Sequence, residues 1–182
     1  MLTALLVFKI AYVDGHTSWL RCVSTQERVC GAQATVQVVF ANAPQLRGYD
    51  VVTPVVAPGG TLKVNLIWQN GTAPLPRLHS FVHVRNSQKD WPVNPKTGSE
   101  IWAQQDNFAP GDLLTEDWVP GKLYRDTFEL RLPPDTPPGI YFLEVGWFDP
   151  TKGEQLDPQA DSVTPPLRVL WRSILLPSVE VR

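Results

Sequence analysis

The chain has 182 residues, 43% of them hydrophobic, with 12 glycines, 18 prolines and a formal net charge of −2. That length fits one domain with a real core and is short for two, and the turn-rich composition is that of an all-β chain rather than a disordered one. Lys and Arg are scattered singly, without the clustered basic face of a polyanion binder, so no nucleic acid is expected as a partner.

Met1 to Val13, MLTALLVFKIAYV, is apolar apart from Lys9. It is shorter than the roughly 20 residues that span a bilayer, and it lacks the basic start and cleavage site of a signal peptide. It reads either as a buried first strand or as the tail of a membrane helix that begins upstream. Cys22 and Cys30 follow in a polar stretch, RCVSTQERVC. Their spacing permits a disulfide, worth roughly 2 to 3 kcal/mol for so short a loop. Two free thiols are the alternative; zinc would need two further ligands, and the only histidine in that part of the chain is His16. Residues 1–34 are therefore read as an arm and linker, and 35–182 as the folded domain.

Alternation of apolar and polar residues predicts strands over 35–40, 46–52, 61–68, 80–85, 101–107, 124–132, 139–148 and 166–171, with 173–181 as an edge strand. Phe128, Leu130 and Leu132 share one face of their strand, against Thr127, Glu129 and Arg131 on the other; Tyr141, Leu143, Val145 and Trp147 share a face opposite Glu144. Pro58-Gly59, Pro110-Gly111, Pro120-Gly121 and Pro138-Gly139 predict turns, because proline presets the first central residue and glycine accepts positive φ at the second. Asn94 to Gly98 and Asp149 to Gly153, each starting Asx-Pro and ending in Gly, predict hairpin loops. Prolines leave at most one helical turn, over 112–118. These features predict an all-β, antiparallel two-sheet β-sandwich, immunoglobulin-like or carbohydrate-binding-module-like, with Greek-key connections and Trp68, Phe128, Leu130, Leu143, Val145 and Trp147 in its core.

The chain has no nucleophile elbow, phosphate loop, dinucleotide fingerprint or zinc-protease helix, so no catalytic residue, cofactor or metal is expected. His79 and His83 have the spacing of a helical metal pair, but on a strand four residues advance about 13 Å and cannot share one ion. Glu116, Asp117, Asp106, Asp126, Glu144 and Asp149 supply carboxylates, which a glycoside hydrolase would have to bring together in pairs. Asp149 reads instead as a turn former, and no tight Asp/Asn repeat marks a calcium loop. Asn70-Gly71-Thr72 matches a glycosylation acceptor and reads first as a hairpin turn.

Phe81, His83 and Arg85 alternate with Val82 and Val84, which points His83 outward, toward polar neighbours such as Gln105 or Asp106 on an adjacent strand. Trp91, Trp102 and Trp118 lie in or beside loops, where an indole either fills the core or stacks on the apolar face of a sugar. The candidate ligand set is therefore His83, Trp102, Gln105, Asp106 and Trp118.

The stretches LRGYDVV at 46–52, LKVNLIWQ at 62–69 after its Pro-Gly-Gly start, FVHV at 81–84, AQQDN at 103–107, the Trp118-Val-Pro-Gly turn and LPPDTPPGIYFLEVGWFDPTKGEQL at 132–156 form a known arrangement. It resembles the extracytoplasmic C-terminal β-sandwich domain of bacterial multi-span membrane proteins of the dolichyl-phosphate-mannose mannosyltransferase-like class. The resemblance covers about residues 46–156, and FKIAYVDGHTSW at 8–19 looks like the sequence after the last membrane helix of such proteins. It implies a non-catalytic, extracytoplasmic, membrane-tethered accessory domain, because in that class acidic residues between membrane helices carry the glycosyl transfer. The partners it implies are a saccharide and an upstream membrane domain or membrane-embedded partner. An oxidising location would also favour the Cys22–Cys30 bridge. The competing expectation is a structural or protein-interaction domain, with an apolar patch and no sugar-sized cleft.

Overall fold

A computed structural model describes residues 24–25, 27–71, 74–86, 92–163 and 166–182. The chain divides into two units, residues 1–31 and 32–182. In the first, the Thr25 and Arg28 backbones close a short turn, and Cys30 is disulfide-bonded. Cys22 and the apolar residues 1–13 lie outside the described residues, as do Thr72 and Trp91.

The second unit consists of β1 (Ala34–Val38), β2 (Gln45–Val51), β3 (Val55–Val56), β4 (Thr61–Gln69), β5 (His79–Asn86), β6 (Ile101–Asn107), β7 (Leu123–Arg131), β8 (Gly139–Asp149), β9 (Glu154–Gln155), β10 (Arg168–Leu170) and β11 (Ser173–Val181). They form a 4-stranded sheet, β1-β2-β4-β7, and a 7-stranded sheet, β10-β11-β8-β5-β6, with β3 on β11 and β9 on β8. Among the described residues there is no α-helix; short 3-10 turns at Pro110–Asp112 and Thr115–Asp117 replace the single helical turn expected over 112–118.

Two expectations are corrected. The sheets are not purely antiparallel, because the connection from β2 to β4 crosses to the larger sheet for two residues and lays Val55 and Val56 parallel to Glu180 and Val181. Nor is 173–181 an edge strand: β11 pairs with β8 on one side and with β10 and β3 on the other.

Alternation places the core as expected. Trp68, Phe128, Leu130, Leu143, Val145 and Trp147 are all fully buried. Trp68 on β4 meets Trp147 on β8 with ring centroids 4.6 Å apart, so one indole pair joins the two sheets.

Both Asx-Pro loops form as read. Asn94 Oδ1 accepts from the Lys96 amide, Asp149 Oδ1 accepts from the Thr151 and Lys152 amides, and Gly98 and Gly153 take the positive φ that closes each loop. Turns also form at Pro58-Gly59 and Pro120-Gly121, whereas Gly139 opens β8 directly.

Candidate functional site

The tryptophans expected to meet a ligand belong to the core. Trp102 is 3% exposed and Trp118 4%. The β5–β6 register shifts between Val84 and Arg85, and on β6 Trp102 is buried in the core while the next residue, Ala103, also packs against it. Its Nε1 donates to Asn86 Oδ1 at 2.9 Å. Trp118 leaves its loop to stack on Tyr124 at 4.1 Å and to meet Trp147 edge-on at 6.1 Å, and its Nε1 donates to the Leu113 carbonyl. An indole so enclosed has no face to offer a sugar. The buried Asn70 donates to the Trp118 carbonyl at 2.9 Å, a structural role that keeps its side chain from being an exposed glycan acceptor.

Of the other candidates, the structure brings His83 and Asp106 to one cleft and separates Gln105 from them. Asp106 pairs across from Phe81, and His83 lies two residues further along β5 on the same outer face. Gln105 pairs with the core-facing Val82, and its Oε1 accepts from the Glu129 amide at 2.8 Å, tying β6 to β7.

The cleft, about 360 Å³, lies on the outer face of the larger sheet and is lined by His79, Phe81, His83, Asp106, Phe108 and Phe148, with Ser80 and Gln155. Phe108, just past β6, is 63% exposed, and its ring meets His79 edge-on at 4.6 Å. His79 lies 6.5 Å from Phe148, the residue it pairs with on β8. Phe81 stacks on His83 at 4.6 Å and lies against Gly146, where an added Cβ would sit 2.6 Å from the phenyl ring. The glycine therefore lets the ring lie flat on the sheet.

Two buried carboxylates support this wall without lining it. Glu144 accepts from Arg85 at 2.9 Å and Ser173 at 2.7 Å, and its Oε2 lies 3.5 Å from His83 Nδ1. Burial alone would raise Glu144, but His83, Ser173 and Arg85 together hold it below the usual carboxylate range. Asp126, 1% exposed at an inward position of β7, accepts from Trp68 Nε1, Ser80 Oγ and the Asn107 side-chain amide. Burial pushes it up to about 6 against those donors and the Gly111 amide.

The sequence reading missed Phe108, Phe148, His79 and Gln155. The available signals were aromatics at outward positions of a strand, which alternation alone identifies for Phe81 and His83, and a glycine in mid-strand.

Among the described residues no group of three or more His, Cys, Asp or Glu side chains is placed to hold a metal ion, and Asp106 is the one carboxylate in the cleft lining. No helix among them is long and apolar enough to cross a membrane. No protein-family model matches this chain, and a comparison with curated proteins finds no relative.

Proposed function

We propose that the domain is a non-catalytic, extracytoplasmic accessory module, tethered to a membrane glycosyltransferase-like protein, and that it binds a saccharide in the cleft of Phe108 and His79. The fold in this reading is an immunoglobulin-like or carbohydrate-binding-module-like Greek-key sandwich. The observation that carries the ligand assignment is the Phe108 ring, 63% exposed yet fixed at the cleft rim by a turn anchored in the core. A preplaced phenyl ring offers the apolar face of a sugar a surface at little ordering cost. Phe148, the imidazoles, Asp106 and Gln155 supply a second aromatic wall and polar groups for hydroxyls. The volume falls in the range of roughly 300 to 1,000 Å³ usual for small-molecule sites. With one carboxylate in the lining, the cleft lacks the pair that glycoside hydrolysis uses.

A glycan array followed by titration tests the reading. Modest affinity for an oligosaccharide is expected, weakened about tenfold by Phe108→Ala. Absence of binding to every saccharide, or binding indifferent to Phe108 and Phe148, contradicts it.

A second reading, a protein-interaction domain, draws on Trp171, 91% exposed at the β10–β11 turn, beside the exposed Val169. Cross-linking in intact membranes that depends on Trp171 and not on Phe108 would favour it.

A further inference from the structure

Resting on the saccharide reading, we propose that the sugar taken by the cleft is an amino sugar, whose protonated amine sits between the Asp106 carboxylate and the Phe108 ring. Asp106 is exposed, and among the described residues its side chain has neither a hydrogen bond nor an ion pair. Arg77, whose charge acts on His79, is engaged with Glu116 at 3.0 Å; Arg85 is engaged with Glu100 at 2.6 Å and Glu144 at 2.9 Å, and Arg172 with Glu154 at 2.9 Å and Asp157 at 3.2 Å. His79 does not neutralise Asp106 at neutral pH, because burial lowers its pKa, opposed by Asp106 and aided by Arg77.

The cleft therefore combines one uncompensated negative charge with the faces of Phe108 and Phe148. Each element attracts an ammonium, the carboxylate by charge and the phenyl ring through its negative face. A neutral sugar uses the rings alone. An anionic sugar meets repulsion from Asp106, and among the described residues that line the cleft there is no lysine or arginine to offset it.

The test is calorimetric titration of the intact protein at pH 7 with a β-1,4-linked glucosamine tetrasaccharide and its fully N-acetylated counterpart. Acetylation removes the charge and leaves the ring faces in place. The amine form is expected to bind about tenfold more tightly, a margin that combines an exposed cation–π contact with an exposed ion pair. Asp106→Asn should erase the preference while leaving the N-acetylated sugar bound as before, whereas Asp161→Asn, the same charge change outside the cleft, should leave the preference intact. Equal or tighter binding of the N-acetylated sugar overturns the amino-sugar inference and leaves the saccharide reading standing. So does a preference that survives Asp106→Asn, or one lost equally with Asp161→Asn. Failure of both sugars to bind overturns the inference alone; the saccharide reading falls with it only if the glycan array is also empty.

Discussion

The side-chain amide of Asn107 donates to the carboxylate of Asp126, and through this bond an acid buried between the sheets holds the turn that carries Phe108. Asn107 Oδ1 in turn accepts from the Ala109 amide at 3.2 Å, so the residues on both sides of Phe108 are fixed by one asparagine. The aromatic rim of the cleft is thus set by a polar knot in the core, which also draws in Trp68 and Ser80. An acid buried in this way makes the fold sensitive to pH.

Burial raises Asp126 from 3.8 to about 6. The native state therefore holds a proton that the unfolded chain has released, and the contribution of Asp126 to stability is complete below pH about 3.8 and lost as pH rises through about 6. The loss is about 3 kcal/mol. Glu144, raised by burial but lowered overall by His83, Ser173 and Arg85, contributes the opposite slope, so the readout is the difference between wild type and Asp126→Asn. Urea unfolding at pH 4, 5, 6 and 7 checks it. The variant should lose less stability across that range than the wild type; parallel curves would contradict the assignment.

Trp118→Ala and Phe108→Ala should separate stability from binding. Trp118 is enclosed by Tyr124 and Trp147, so its loss should cost about 3 to 5 kcal/mol. Phe108 is largely in solvent, and its loss should change stability by no more than about 0.5 kcal/mol while weakening sugar binding. Thermal unfolding of both variants decides it, and comparable destabilisation would contradict the placement of Phe108.

Gly146→Ala should damage the cleft wall from beneath. The new Cβ would lie 2.6 Å from Phe81 Cζ and 2.9 Å from Cε1, so the ring and the His83 imidazole stacked on it must shift. A cost of about 1 to 3 kcal/mol is expected, with weaker binding, measured by denaturation and titration. An unchanged midpoint would show that Phe81 does not lie on the sheet as described.

Trp171 has φ 54° at the first position of the two-residue loop between Leu170 and Ser173. A bulky side chain is strained there and glycine is not. Trp171→Gly should therefore stabilise the protein by about 1 kcal/mol, raising Tm by roughly 3 °C. A fall in Tm would mean that the exposed indole makes contacts worth more than the strain.

What the sequence disclosed was what local chemistry dictates. The strand over 101–107, the core pair Trp68 and Trp147, and the turns closed by Gly98 and Gly153 followed from alternation and from backbone requirements that act within a few residues. Trp118 was misread because its burial depends on a loop folding back over the end of the sandwich, which no window of neighbours contains. Trp102 was misread for a related reason, because the register shift between Val84 and Arg85 turns it into the core, whereas Gln105 pairs in regular register with the core-facing Val82 and so lies on the opposite face from Asp106. The cleft joins Phe108, Phe148 and Gln155 from separate segments, so its aromatic rim exists only once β5 has β6 on one side and β8, with β9, on the other.

The proposed saccharide site lies on the outer face of the larger sheet, at Phe108 and His79, and not at the tryptophans. Side-chain NMR of the aromatic and histidine rings during titration with an oligosaccharide hit tests it most directly. Saturable shifts confined to His79, Phe108, Phe148 and their contacts are expected, with the Trp102 and Trp118 indole resonances unmoved. Shifts centred on the tryptophans, or no shifts in the cleft at saturating sugar, would contradict it.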